Sequence, residues 1–215
     1  MPPSKKLVII PIVTFGLGVW QVYRLKWKEN LIEQYNHEFY SAPTKVEQIN
    51  DSTTKRGPIE MKGRLLNGRN VLLGPRKIGE QFGYFVISPF ELDSGQRISL
   101  NRGWIPTDAK SYWTQCQLNE KSSKIIGVVE EGDSYSLFSP RNDAEKNLWI
   151  LKIIPEISMF QNTQNILVRQ LASVENEPWP KPIEGIPKIT NNHLQYCVTW
   201  FSLAAITTAM FFVKI

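Results

Sequence analysis

Two apolar runs without a single charge bracket this chain of 215 residues and constrain it more than any other feature. The first, Leu7 to Tyr23 (LVIIPIVTFGLGVWQVY), is preceded by Lys5 and Lys6 and followed by Arg24, Lys26 and Lys28. The second, Tyr196 to Val213 (YCVTWFSLAAITTAMFFV), is closed by Lys214. Uncharged runs of about 17–20 residues are the pattern of helices that cross a hydrocarbon core of about 30 Å. Trp20, Tyr23 and Trp27 read as an aromatic belt at the lipid boundary, with Arg24, Lys26 and Lys214 able to snorkel to the interface. No small-residue cleavage site follows the first run, which separates it from a signal peptide.

The expectation is a membrane protein of α+β class. Transmembrane helices over 7–23 and 191–213 bracket one mainly-β extramembrane domain with short helices. With both runs crossing, the termini share one side and the domain lies on the other. Charge does not decide which side, because lysines and arginines flank both.

Between the runs the texture changes twice. From 24 to 42, Trp27, Leu31, Ile32, Tyr35 and Phe39 recur at helical spacing, which predicts a juxtamembrane helix that stops before Pro43. Over 57–174 short β-like runs take over: Ile59–Leu66, Asn70–Gly74, Tyr84–Leu92, Arg97–Asn101, Lys124–Glu130, Asn147–Leu151 and Ile166–Ala172. Asn67-Gly68 and Asp93-Ser94-Gly95 mark turns. Prolines opening Pro106–Gln115 and Pro155–Gln161 suit the first turn of short helices. A Pro-rich connector over 175–190 leads to Thr190-Asn191-Asn192, whose side chains can cap the second apolar helix.

The residue inventory excludes several functions. A net charge of +5 and a pI near 9.1 would suit an anionic partner, but the basic residues are scattered, so no nucleic-acid interface is expected. Cys116 and Cys197 lie far apart, one of them inside an apolar run, and predict no structural disulfide. With His37 and His193 as the only histidines and no Cys-x-x-Cys pair, a closed zinc or copper site lacks its ligands. Neither histidine has a nucleophile motif beside it, and no glycine-rich phosphate loop occurs, so the chain reads as no enzyme.

Two polar-aromatic constellations remain. Trp20, Arg24 and Trp27 share a face of the first helix, and His193, Tyr196 and Trp200 share a face of the second, at the same membrane surface. A histidine at an apolar edge can ligate haem iron, while Arg24 and Lys28 pair with propionates and the tryptophans pack the macrocycle. The plainer alternative, which these residues by themselves favour, is that they serve as interfacial anchors, with His193 bonded near a helix start. His37 falls among Asn36 and Glu38 and reads as solvated, and Cys116 carries no assigned role. Asn101-Arg102-Gly103-Trp104 forms either a strand-end turn or a turn that presents Arg102 and Trp104 to a partner.

The run Gly16-Leu17-Gly18-Val19-Trp20-Gln21-Val22-Tyr23-Arg24-Leu25-Lys26-Trp27-Lys28 resembles the first-helix signature of the Surfeit locus protein 1 family. Gly83-Tyr84, Pro89-Phe90, Leu100-Asn101-Arg102-Gly103-Trp104-Ile105-Pro106, Asn191-Asn192-His193-Leu194-Gln195-Tyr196 and Thr199-Trp200-Phe201 match in order along the chain. Phe138-Ser139-Pro140-Arg141-Asn142-Asp143 with Asn147 and Trp149 matches in part. The acid that often follows that tryptophan in the family is replaced here by Ile150, Leu151, Lys152 and Ile153.

The resemblance implies an assembly factor for cytochrome c oxidase, acting in early maturation of the catalytic subunit and in haem a insertion, alongside other assembly factors and the lipid bilayer. It implies the mitochondrial inner membrane, with the domain in the intermembrane space. The alternative is a bacterial cytoplasmic membrane with the domain in the periplasm. His193 matches the family's histidine at the second helix, a candidate haem a ligand, with Arg24, Trp20 and Trp200 as its surroundings and Arg102 and Trp104 as partner contacts. A direct haem a carrier, or a scaffold or sensor unrelated to the oxidase, is the competing function. MPPSKK departs from the Arg- and Ser-rich transit peptide usual in mitochondrial members.

Overall fold

The structure, a computed structural model, describes residues 9–50, 57–67, 69–115, 122–172, 179–182 and 191–213. The chain divides into two compact units, one over 38–185 and one formed by 1–37 with 186–215. Cys116, Gly68, Thr190 and most of the expected connector lie outside the described residues.

The first unit is mostly β. Its strands are β1 (Thr44–Lys45), β2 (Ile59–Leu65), β3 (Val71–Ile78), β4 (Gln81–Leu92), β5 (Arg97–Pro106), β6 (Ser122–Val129) and β7 (Leu167–Gln170). They run in the order β1-β2-β6-β7-β5-β4-β3, and β2 pairs again with β4, so β2, β6, β7, β5 and β4 close into a barrel-like ring. The long β4–β5 hairpin, from Gly83↔Pro106 to Glu91↔Arg97, forms the backbone of that ring. Its turn is the Asp93-Ser94-Gly95 segment read from the sequence, where the Gly95 N–H donates to the Leu92 carbonyl at 2.8 Å. Closure brings Gly63 of β2 opposite Leu92 of β4 and Ser123 of β6. A Cβ at Gly63 would stand 2.1 Å from the Glu91 carbonyl oxygen, so only glycine admits that crossing.

Alternation along the strands decides where each apolar side chain goes. Ile59 and Met61 on β2, Phe90 and Leu92 on β4, Ile98 and Leu100 on β5, Ile125 on β6 and Val168 on β7 meet in one buried cluster that fills the ring. On β3, Val71 and Leu73 face one cluster while Leu72 between them faces another. The first cluster is covered by α3 (Ile154–Gln161) through Ile157 and by Trp149. The second contains Trp113 of α2 (Lys110–Gln115), which follows a 3-10 turn at Thr107–Ala109. α2 thus falls within the expected Pro106–Gln115 segment, and α3 begins one residue before the expected Pro155–Gln161. The apolar Asn147–Leu151 run, read as a strand, makes only isolated bridges, Leu73↔Trp149 and Asp143↔Leu148. Asn147 adopts φ 51°, which breaks extended geometry, and Trp149 enters the core instead.

The second unit contains α1 (Ile9–Phe39) and α4 (His193–Val213). Here the expected membrane architecture is corrected: where two transmembrane helices were read over 7–23 and 191–213, no helix among the described residues is long and apolar enough to cross a membrane. In α1 the uncharged residues end at Tyr23, and Arg24, Lys26, Lys28 and Glu29 follow on the same helix. In α4 the uncharged stretch is diluted by Thr199, Ser202, Thr207 and Thr208, whose hydroxyls bond back onto the helix at Thr199, Thr207 and Thr208.

Glu91 offers a test of the barrel's closing edge. Its carboxylate accepts from Arg64 Nη2 at 2.8 Å and Arg97 Nε at 3.0 Å, and these bonds, Arg64 first, hold its pKa below the ordinary glutamate value of 4.5. A lowered carboxylate stabilises the fold above 4.5, and that contribution is lost as pH falls through the lowered folded value. Glu91→Gln should flatten this acid limb in denaturant titrations between neutral pH and pH 3, leaving the neutral-pH fold intact.

Candidate functional site

The side chains singled out at the start of α4 meet α1 directly. Asn191 caps α4, its Oδ1 accepting the His193 N–H at 3.3 Å, in keeping with its expected capping role. The His193 ring then reaches α1: Nδ1 lies 2.7 Å from Gln21 Oε1. Gln21 is 8% exposed, and an amide oxygen only accepts, so the imidazole Nδ1–H is the donor. Among the described residues this is the ring's one hydrogen bond, and Nε2 makes none.

The two helices run antiparallel, for contacts that begin at Gln21 and His193 continue backward along α1 as α4 advances. A Cβ on Gly18 would lie 2.7 Å from the Phe201 ring, and Phe15 meets the same ring edge-on at 5.6 Å. Thr14, Gly18 and Gln21 on α1, with Cys197 and Ala204 on α4, are buried, at helical spacing and mostly small. Beyond Phe201 the pair forms an apolar groove of about 720 Å³, lined by Pro11, Ile12, Phe15, Ala204, Ala205 and Phe212 among others.

Arg24 stands one helical turn beyond Gln21, half-buried, with its guanidinium stacked 4.3 Å from the centre of the Trp27 ring. Among the described residues Arg24 has no carboxylate partner. Trp20 is 52% exposed, and Trp200 is half-buried, two turns from His193. His37, in the last turn of α1, is exposed. The residue that ties the constellations together is Gln21, to which spacing alone assigned no role. Its only sequence signal was its place in the Gly18-Val19-Trp20-Gln21 run.

Arg102 and Trp104 belong to the other unit. Between Val86↔Gly103 and Ile87↔Asn101 the β4–β5 register shifts, leaving Arg102 as the extra residue of a bulge, its guanidinium 5.0 Å over the Trp113 ring. Trp104 is 5% exposed. Its backbone exchanges hydrogen bonds with Lys181 at 2.8 and 2.9 Å, its Nε1–H donates to the Arg76 carbonyl, and its ring meets Trp179 edge-on at 5.7 Å. Trp104 therefore fastens residues 179–182 to the barrel. Elsewhere in this unit Glu130 bridges Arg169 Nε at 3.0 Å and Lys152 Nζ at 3.4 Å, balancing a cation that is almost wholly buried.

The Pro/Asn-rich segment is organised by one amide. Asn142 Oδ1 accepts the N–H groups of Ile150 and Leu151, both at 2.9 Å, while its Nδ2 donates to the Leu151 carbonyl and to Glu156 Oε2. Glu156 also accepts the Tyr135 hydroxyl at 2.8 Å; burial first, and then this bond, push the phenol pKa above its ordinary value. The carboxylate that Asn142 meets is therefore that of Glu156, on α3. At the tip of this loop Leu137 and Phe138 are almost wholly exposed.

A model of the SURF1 family matches residues 8–205, taking in α1, all seven strands and the first thirteen residues of α4. The chain belongs to the SURF1 family. It is similar to a SURF1-like protein of Monosiga brevicollis, 33% identical over 95% of this chain and 84% of the relative. Surfeit locus protein 1 of Homo sapiens is 28% identical, over 97% and 76%. A SURF1-like protein of Rickettsia bellii is also 28% identical, over 95% and 87%. SURF1 relatives thus occur in both eukaryotes and bacteria, and the positions of Gln21, Asn142 and His193 all lie within the matched span.

Two predictions follow from this SURF1 geometry. Asn142→Leu keeps the volume but strips partners from two backbone donors and a carboxylate. It should cost about 1–3 kcal/mol of barrel stability, read from urea midpoints. Gly18→Ala should lower the melting temperature by forcing α4 away from α1, and Phe201→Leu in the same chain should recover most of the loss. Equal losses in both chains would show that the Gly18–Phe201 approach is not what limits the helix pair.

Proposed function

We propose that this chain is an assembly factor for cytochrome c oxidase, acting in early maturation of the catalytic subunit by handling haem a as cargo, within the mitochondrion. Membership of the SURF1 family carries the reading, because the match runs through both the helix pair that holds His193 and the complete barrel. The chain contributes binding and positioning in this reading, with the oxidase's catalytic subunit and other assembly factors as its partners.

The residues at the top of α4 fit a haem by their chemistry. His193 presents an Nε2 that no described residue uses, which suits an iron ligand, because its Nδ1 already donates to Gln21. Arg24, one turn along α1 and without a carboxylate partner among the described residues, suits a propionate. Trp20 and Trp200 supply aromatic surface nearby in sequence on each helix, and the apolar groove continues the same helix pair. Haem brings its own iron chemistry, while these side chains bind, orient and shield it. This donor set also supports the competing reading, a direct carrier that takes up haem a stoichiometrically.

Deletion of the gene should lower both cytochrome a absorbance and the amount of assembled oxidase on native gels. Wild type should restore both, and His193→Ala should restore less. An oxidase unchanged by deletion would overturn the assembly reading. Full restoration by His193→Ala would remove the histidine from it.

A further inference from the structure

Gln21 is buried in the face that α1 turns toward α4, at a position where its neighbours one turn away are Gly18 and Arg24. A primary amide in such an interface costs free energy unless it is hydrogen-bonded, so its presence there calls for a partner. The partner is the imidazole of His193, at 2.7 Å through Nδ1. A neutral imidazole carries one proton on two nitrogens, and the bond made at one nitrogen decides what the other can do. With the proton held at Nδ1 by an acceptor oxygen, Nε2 keeps its lone pair and points away from the bond.

We propose that Gln21 is a positioning residue for His193: it fixes the Nδ1–H tautomer and the ring plane, so that Nε2 is offered as the donor atom for a haem iron. Its geometry stands on the Gln21–His193 contact alone, and its consequence for an iron ligand rests on the haem-handling reading above. Ligating histidines are commonly held in this way by an acceptor on the far nitrogen, which orients the ring and raises its basicity toward the metal. Arg24, although closer to the expected cluster by sequence spacing, cannot do this, because a guanidinium only donates. The backbone bond from His193 to Asn191 holds the residue at the helix start and leaves the ring free to answer to Gln21.

The experiment uses the purified full chain labelled with ¹⁵N-histidine, as wild type, Gln21→Met and Gln21→Glu. Long-range nitrogen–proton spectra assign the tautomer without any ligand, and exposed His37 serves as the internal reference. His193 should show a protonated Nδ1 and an unprotonated Nε2 in wild type. Gln21→Glu, which keeps an acceptor oxygen, should preserve that pattern, while Gln21→Met, of similar length without the oxygen, should lose it. Ferric protoporphyrin IX titrated into the same proteins, followed by its Soret band, should bind Gln21→Met about 10- to 100-fold more weakly than wild type, with Gln21→Glu close to wild type.

A protonated Nε2 in wild type overturns the proposal without recourse to any variant. So does an unchanged tautomer in Gln21→Met, or a porphyrin affinity that ignores the tautomer. If wild type takes up no porphyrin while its nitrogen shifts are as stated, the haem reading falls and the hold of Gln21 on the ring stands.

Discussion

The barrel exists because β2 pairs on both edges. Without the Gly63↔Leu92 to Leu65↔Phe90 ladder, the sheet would end in an open β2 edge and the cluster around Phe90, Ile98 and Ile125 would lie open to water. The crossing tolerates no Cβ at Gly63, and Arg64 follows it to pair with Glu91 across the same seam. Closure also fixes everything outside the ring. Because β4 and β5 are committed to it, their bulge lays Arg102 over the Trp113 ring, and their outer face is left for Trp113, Trp149 and α3 to cover.

Several buried side-chain amides and hydroxyls are tied to named partners, although Gln161 Oε1 is buried without one. Asn142 completes four hydrogen bonds for the loop over α3, Gln161 donates to the Arg69 and Ile87 carbonyls, and Ser88 donates to Asn70. In a low-dielectric interior such bonds specify one arrangement, because any alternative leaves a donor or acceptor stranded. Gln21 and His193 follow the same rule between α1 and α4. What distinguishes them is that the histidine's second nitrogen is not used, so a bond that orders the helix pair also defines the chemical face of the ring.

Parts of this were legible from residues alone. The β runs at Ile59–Leu66, Tyr84–Leu92 and Arg97–Asn101 were found because alternation of apolar and polar residues is a local property. The proline-initiated helices were found for the same reason. Asn147–Leu151 misled because its apolar residues satisfy the core through Trp149 and the left-handed Asn147, a solution that depends on β3 and α3 being nearby. The membrane reading rested on the absence of charge, whereas among the described residues no helix is long and apolar enough to cross a membrane: α1 runs on through Arg24, Lys26 and Lys28, and α4 includes Thr199, Ser202, Thr207 and Thr208. At the site, His193, Arg24, Trp20 and Trp200 stood out by residue type and helical spacing, whereas Gln21 did not, since glutamine is an ordinary helix residue until a partner is seen.

The sequence by itself determined the helical and β periods, the placement of turns and caps such as Asn191 and Gly95, the poverty of nucleophiles and soft metal ligands, and the run of motifs shared with the SURF1 family. Each of these is written in neighbouring residues or in composition. The tertiary structure decided the closure of β2 on β4, the burial of Trp104 as a structural fastening, the pairing of Glu156 with Asn142, and the contact of Gln21 with His193 across 172 positions. These are long-range pairings, and which acceptor a donor meets is settled only when distant elements pack together, because the free energy of an unsatisfied buried polar group belongs to the packed state and leaves no local pattern in the chain.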